Sequence, residues 1–309
     1  MSLGYDRPLY LLPFDHRHSY VTGIFKFKPP LTQLEHDLVA DSKEIIYEGF
    51  THALAGGVAK DHAGILVDEE FGAGILHDAT KNGYVTALST EKSGSDEFEF
   101  EYGQAFVEHI EAFHPTFAKA LVRYNPEGDT ALNRRQRARL KQLSDYCKAA
   151  GQFFMFELLV PATKAQMDRV QADQNVYDLR VRPELMVRTL RDLQDAGIEP
   201  DIWKIEGLDF REDCERIVET ARRGGRHDVD CIVLGRGADE KKVMGWLETA
   251  ASVPGFIGFA VGRTTFWAAV ADYEARKTAR QEAVSRIAQR YCEWVNVFER
   301  ARSLPARAV

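Results

Sequence analysis

The sequence predicts an α/β fold, a (β/α)8 or TIM barrel with an extra C-terminal helix, and three observations carry that expectation. Eight short runs rich in β-branched and aromatic residues recur along the chain. Helical patterns separate most of them, and the long connections follow the carboxyl end of a run. The runs are PLYLLPFDHR (8–17), AGILVDEEFG (63–72), YVTALSTE (84–91), FAKALVRYNP (117–126), FFMFELLVP (153–161), DIWKIEG (201–207), DCIVLGRG (230–237) and GFIGFAVGR (255–263). Strand–helix alternation repeated this often points to a parallel sheet, and eight units close a barrel. A doubly wound open sheet is the competing arrangement. No G-x-G-x-x-G follows the first strand, which disfavours it.

The elements follow in order. After the first strand a long connection (18–40) leads to KEIIYEGFTHAL (43–54), whose apolar residues fall at helical spacing. GILHDATKNG (74–83) is the helix expected after the second strand. FVEHIEAF (106–113) follows the third strand across the connection 91–104. The Arg-rich NRRQRARLK (133–141) reads as the exposed start of the next helix. Beyond a third long connection (162–181) lies RPELMVRTLRDLQDAG (182–197). Pro200 marks where the sixth strand turns in and Gly207 where it ends. REDCERIVETARRGG (211–225) and DEKKVMGWLETAAS (239–252) follow, the latter with an acidic first turn. The returns from helix to strand, such as AAGQ (149–152) and GIEPD (197–201), are short. A helical tail (279–300) offers Trp294, Val297 and Phe298 for packing. No linker or low-complexity stretch interrupts this order, so one domain, 1–309, is expected.

Composition narrows the function. At 309 residues and 45% hydrophobic, the chain can bury a large core. Net charge is −7 with both signs interspersed, and without a basic stripe nucleic acid is not an expected partner. Cys147, Cys214, Cys231 and Cys292 form no C-x-x-C pair, which argues against a zinc site or disulfide framework and for a reducing, cytoplasmic setting. No signal-peptide pattern opens the chain, and Glu157 or Arg263 interrupts the longest apolar runs, so no membrane span is expected.

Polar and charged residues crowd toward the strands' carboxyl ends. They are Asp15 and Arg17, then Asp68, Glu69 and Glu70, then Lys119, Arg123 and Asn125, then Glu157, Lys204 with Glu206, Arg236 and Arg263. Such crowding implies a polar basin at the mouth of the barrel, where enzymes of this architecture build their sites. Lys204 stands inside a strand that otherwise reads as buried. A lysine there tends to shed its proton, and a neutral amine attacks a ketone to form a Schiff base. A structural reading pairs its head with Glu206 or another carboxylate. Glu157 is the lone charge in its own apolar run. Burial raises a carboxyl pKa and suits it to proton transfer; alternatively it is a structural partner of Arg123 or Lys204. The last two strands both end in Gly-Arg, Gly235–Arg236 and Gly262–Arg263, a pattern suited to phosphate. His16 and His18 lack a third ligand at useful spacing, so no metal is expected. SDEFEFEYG (95–103) alternates aromatic and acid and reads as a solvated excursion placed to serve as a lid.

With these residues laid out, the chain resembles a class I (Schiff-base) aldolase family of the tagatose-bisphosphate aldolase type. It is most similar to the DUF2090-like aldolase domain often fused to 5-dehydro-2-deoxygluconokinase in bacterial inositol catabolism. FDHR (14–17), LVDEEFG (66–72), KALVRYN (119–125), FFMFELLVP (153–161), DIWKIEG (201–207) and AVGRTTF (260–266) carry the resemblance, in order along nearly the whole chain. It implies a Schiff-base lysine at Lys204, a proton-transferring glutamate at Glu157, a second lysine at Lys119 and an aspartate at Asp15, with no cofactor. Arg17, Asp68, Arg123, Asn125, Glu206, Gly235, Arg236, Gly262 and Arg263 form the candidate substrate-binding set. Arg236 departs from the bisphosphate aldolases, which carry small residues there. The implied substrate is a small phosphorylated keto sugar acid, 6-phospho-5-dehydro-2-deoxygluconate, cleaved to dihydroxyacetone phosphate and malonate semialdehyde. Another ketose phosphate such as tagatose bisphosphate, a different sugar-phosphate lyase or isomerase, a noncatalytic sugar-phosphate binding protein, and a homo-oligomer all stay open.

Overall fold

In a computed structural model, which describes residues 3–303, eight strands close into a barrel in chain order. They are β1 (Leu9–Pro13), β2 (Ala63–Val67), β3 (Val85–Ser89), β4 (Phe117–Arg123), β5 (Phe153–Leu159), β6 (Ile202–Glu206), β7 (Asp230–Leu234) and β8 (Phe256–Ala260). Every pairing is parallel, including β8 against β1, where Leu9 stands opposite Gly258. That closing seam needs a glycine, because a Cβ at 258 would lie 1.8 Å from the Leu9 carbonyl oxygen.

One principal helix follows each strand: α1 (Gln33–Ala55), α2 (Glu69–Lys81), α3 (Phe106–Phe113), α4 (Thr130–Ala150), α5 (Arg182–Asp195), α6 (Arg211–Ala221), α7 (Glu240–Ala251) and α8 (Arg263–Glu274). The (β/α)8 expectation holds, and three boundaries are corrected. Helix α1 begins ten residues before the 43–54 pattern, because Thr32 and Glu35 form a reciprocal capping box. Helix α2 begins at Glu69 rather than Gly74: Asp68 caps it by accepting from the Phe71 N–H, so Glu69 and Glu70 belong to its first turn and not to β2. Helix α8 follows β8 directly, a segment without an expected element, and the connection 162–181 carries short helical turns.

The extra helix, α9 (Arg280–Ser303), packs along α1, α7 and α8. Trp294 and Phe298 are fully buried and Val297 partly so. Tyr291 donates to the Tyr10 carbonyl at 2.6 Å and Trp294 Nε1 to Thr265 Oγ1 at 3.0 Å, which ties this helix to β1 and α8. Among the described residues no helix is long and apolar enough to cross a membrane.

Alternation along the strands sorts the barrel interior into layers. Toward the amino ends, Leu9, Leu11, Leu66, Phe117, Met155, Ile202 and Ile232 form an apolar plug. Tyr5 closes it from below, packing edge-on against Phe117 and Phe153 at 5.0 and 5.5 Å, and the Gly4 N–H donates to Asp201 at 2.9 Å. One layer higher the same faces of β4, β5 and β6 carry Lys119, Glu157 and Lys204. The polar layer thus rests on a sealed floor.

Candidate active site

Above that floor, at the carboxyl ends of the strands, opens a cavity of about 460 Å³ lined among others by Asp15, His16, Glu91, Glu157 and Lys204. Lys204 and Glu157 are register partners on neighbouring strands, which fixes their side chains on one face. Lys204 is only 3% exposed, and its Nζ lies 2.9 Å from Glu157 Oε2. Lys119, fully buried, reaches the same Oε2 at 2.9 Å. Neither approach satisfies hydrogen-bond geometry at Oε2 (the contact is ionic), so that oxygen keeps acceptor capacity. Lys119 Nζ also donates to Asp15 Oδ2 at 2.7 Å and to Glu91 Oε1 at 2.6 Å.

Five ionisable groups therefore share one buried cluster, and their neighbours set their charges. Burial pushes the Glu157 carboxyl up, but the Lys119 and Lys204 ammonium groups outweigh it and hold the carboxyl below its ordinary value. This reverses the upward shift expected from burial alone. Asp15 is likewise held down: burial pushes it up, but Lys119 together with Lys204 and its other neighbours outweighs that. Lys119 is raised, because Asp15, Glu157 and Glu91 together overcome the desolvation of its charge. Of the structural readings, Lys204 pairs with another carboxylate, Glu157, and not with Glu206. Glu206 accepts from the Val160 N–H and pairs with Arg236 at 2.9 Å.

The rim separates arginines already neutralised from those without a carboxylate. Arg17 pairs with Glu101 at 2.6 Å and donates to the Glu91 carbonyl. Arg236 pairs with Glu206 and Asp178, each at 2.9 Å. Arg123, on β4, donates to the Ser95 carbonyl at 3.0 Å, and Arg263, opening α8, donates to Ser19 Oγ at 2.9 Å. Among the described residues neither meets a carboxylate. Strands β4 and β8 stand on opposite sides of the ring, with β6 and its lysine midway between. Gly235 and Gly262 line the cavity beside these arginines.

Three members of the expected substrate-binding set lie off the cavity. Asp68 is fully buried, caps α2 and pairs with Lys43. Asn125 braces the turn after β4 by donating to the Pro161 carbonyl and to Gln166, while its Oδ1 accepts from the Glu127 N–H. Glu206 holds Arg236 from beneath. The segment 91–104 is less solvated than its acids suggest. It doubles back through an antiparallel bridge between Glu91 and Phe100, buries Phe98 and Phe100, and turns Glu97 out to Arg135 and Arg139.

Two residues gain weight only from the fold. Glu91 joins Lys119, although sequence leaves it the last residue of a run. His16 lines the cavity, its Nδ1 buried without a partner and its ring lowered to about 4 by burial, so the imidazole is neutral. Among the described residues no group of three or more metal-ligating side chains assembles.

The architecture is that of known aldolases. A fructose-bisphosphate aldolase from Plasmodium falciparum, solved with TRAP and a small-molecule inhibitor, superposes with a TM-score of 0.63 at 13% identity, covering 96% of this chain and 91% of that one. An archaeal fructose 1,6-bisphosphate aldolase gives 0.57 at 12% identity over 93% of each chain. A Schiff-base-forming fructose-1,6-bisphosphate aldolase gives 0.54 at 13% identity, covering 91% of this chain and 93% of that one. Identities this low establish a shared fold. No curated protein matches the chain. Its family is established by a match over residues 6–302: the chain belongs to the group described as "Uncharacterized protein conserved in bacteria (DUF2090)".

Proposed function

We propose that this protein is a class I aldolase that cleaves a phosphorylated keto sugar through a Schiff base on Lys204. One observation carries the reading: a buried lysine faces a cavity with a carboxylate 2.9 Å from its amine, and a second ammonium group holds that carboxylate ionised. Attack requires a free amine, and Glu157 is placed to take the proton Lys204 must lose. The amine adds to the ketone and the carbinolamine loses water, leaving an iminium that draws electrons from the neighbouring carbon–carbon bond. Glu157, relieved of its proton through water, then accepts the hydroxyl proton from the carbon that becomes the aldehyde. The bond breaks, the aldehyde leaves, Glu157 passes its proton to the enamine carbon, and hydrolysis of the resulting iminium frees Lys204. Lys119 stays charged throughout, and with Asp15 it fixes Glu157.

The two arginines without carboxylate partners favour a substrate with an anion at each end, lying across the mouth with its ketone over β6. Arg263 with Gly262 suits the phosphate and Arg123 the far anion. The substrate we favour is 6-phospho-5-dehydro-2-deoxygluconate, whose cleavage gives dihydroxyacetone phosphate and malonate semialdehyde. A ketose bisphosphate is the alternative on the same arginines. Borohydride reduction in the presence of dihydroxyacetone phosphate, followed by peptide mass spectrometry, tests the reading. One adduct on Lys204 is expected. Binding with no adduct would mark a noncatalytic sugar-phosphate protein, and an adduct on Lys119 would move the nucleophile.

A further inference from the structure

We propose that Glu91 is a positioning residue that sets the proton affinity of Glu157, acting through Lys119; this rests on the Schiff-base reading above. Glu91 stands two residues beyond β3 and is held from several sides. Its Oε1 accepts from Lys119 at 2.6 Å. Its Oε2 accepts at 3.2 Å from the N–H of Leu121, the residue in register with Glu157 on β5. Its carbonyl accepts from Arg17 at 2.5 Å, and its backbone bridges to Phe100. Burial raises the Glu91 carboxyl above its ordinary value while Lys119 and Arg17 oppose it, and a side chain fixed this firmly delivers the charge it carries to one place.

That place is Lys119. One ammonium group serves Glu91, Asp15 and Glu157 at 2.6, 2.7 and 2.9 Å, so its N–H donors are shared among three carboxyl groups. The negative charge of each neighbouring carboxylate also opposes ionisation of Glu157. Glu91 therefore keeps Glu157 more basic than Lys119 and Lys204 alone would leave it. The charged groups around Glu91 are Asp15 and Arg17 after β1, Glu101 across the segment, and Lys119, with Glu157 and Lys204 behind it. Three carboxyl groups against two amines leave room for the proton that Lys204 gives up to stay inside the cluster.

The test uses dihydroxyacetone phosphate as probe. Solvent deuterium exchange at the carbon beside its carbonyl reads proton transfer, and borohydride trapping locates the lysine. Both are followed against pH in the wild-type protein, Glu91→Gln and Glu91→Asp. In Glu91→Gln the acid limb of the exchange profile moves down by about one pH unit or more. Exchange near neutrality falls severalfold, while the adduct still maps to Lys204. Glu91→Asp, whose shorter arm loosens the contact, moves the limb the same way by less, and decides the matter should the glutamine variant not fold. Loss of rate with an unmoved limb in the folded variants would make the role merely structural and overturn the proposal. A wild-type protein that neither exchanges nor traps overturns the Schiff-base reading itself, and this inference with it.

Discussion

Among the described residues two lysine–carboxylate clusters are buried, and they are built for opposite ends. Lys43 and Asp68 are both fully buried and matched one to one. Lys43 also lies over the rings of Tyr20 and Phe71, at 5.7 and 5.3 Å, and the second oxygen of Asp68 caps α2. Nothing in that pair is left to react. The other cluster sets Lys119 and Lys204 against Asp15, Glu91 and Glu157, and opens on a cavity. Its groups are unequal in number, and Glu157 Oε2 lacks a well-directed hydrogen bond. Burial of charge is common to both; what separates them is spare bonding capacity beside empty space.

Substitutions can break that contrast, beginning with the most severe. Lys204→Ala abolishes borohydride trapping by mass spectrometry while Lys119 still compensates Glu157, so the variant stays folded. Asp68→Ala strands Lys43 without its partner and costs about 3–5 kcal/mol by urea denaturation. The folded fraction of that variant traps at Lys204 as before. Lys43→Met combined with Asp68→Asn removes both charges, keeps a capping side chain and recovers most of the loss. Among the rim arginines, Arg263→Ala weakens the protection that inorganic phosphate gives Lys204 against trapping by about tenfold. Arg236→Ala, already neutralised by Glu206 and Asp178, changes it less.

The mildest test is by pH. The Asp15 carboxyl is held below its ordinary value, so its contribution to stability is full above that value and fades as pH falls through the folded one. Lys119 is raised, so its contribution is full below the ordinary lysine value and fades as pH rises through the folded one. Asp15→Asn should flatten the acid side of the stability profile in thermal melts and, because Asp15 leads the groups that raise Lys119, make the alkaline side shallower as well.

The barrel was legible because hydrophobic runs and turn residues are local signals. Lys119, Glu157 and Lys204 were legible because each is a charge within a strand-like run, and alternation turns all three to the same interior. Asp68 misled for the same reason: it too follows an apolar run, but its partner comes from α1, and no spacing rule links 43 to 68. Thr32 and Glu35 carried the signature of the α1 start, which lies ahead of a polar first stretch. Helix α8 escaped notice because it packs on several sides and shows little of the one-sided pattern that marks a surface helix. Glu91 offered no local signal, since its importance depends on a lysine brought beside it by the pairing of β3 with β4.

The seal beneath the barrel has a consequence for traffic. With Tyr5, Phe117 and Phe153 closing the lower end, the chamber is shut beneath and opens at the carboxyl ends of the strands. Whatever arrives and whatever departs must pass the same threshold in turn, between the arginines and beneath the folded segment that carries Phe98.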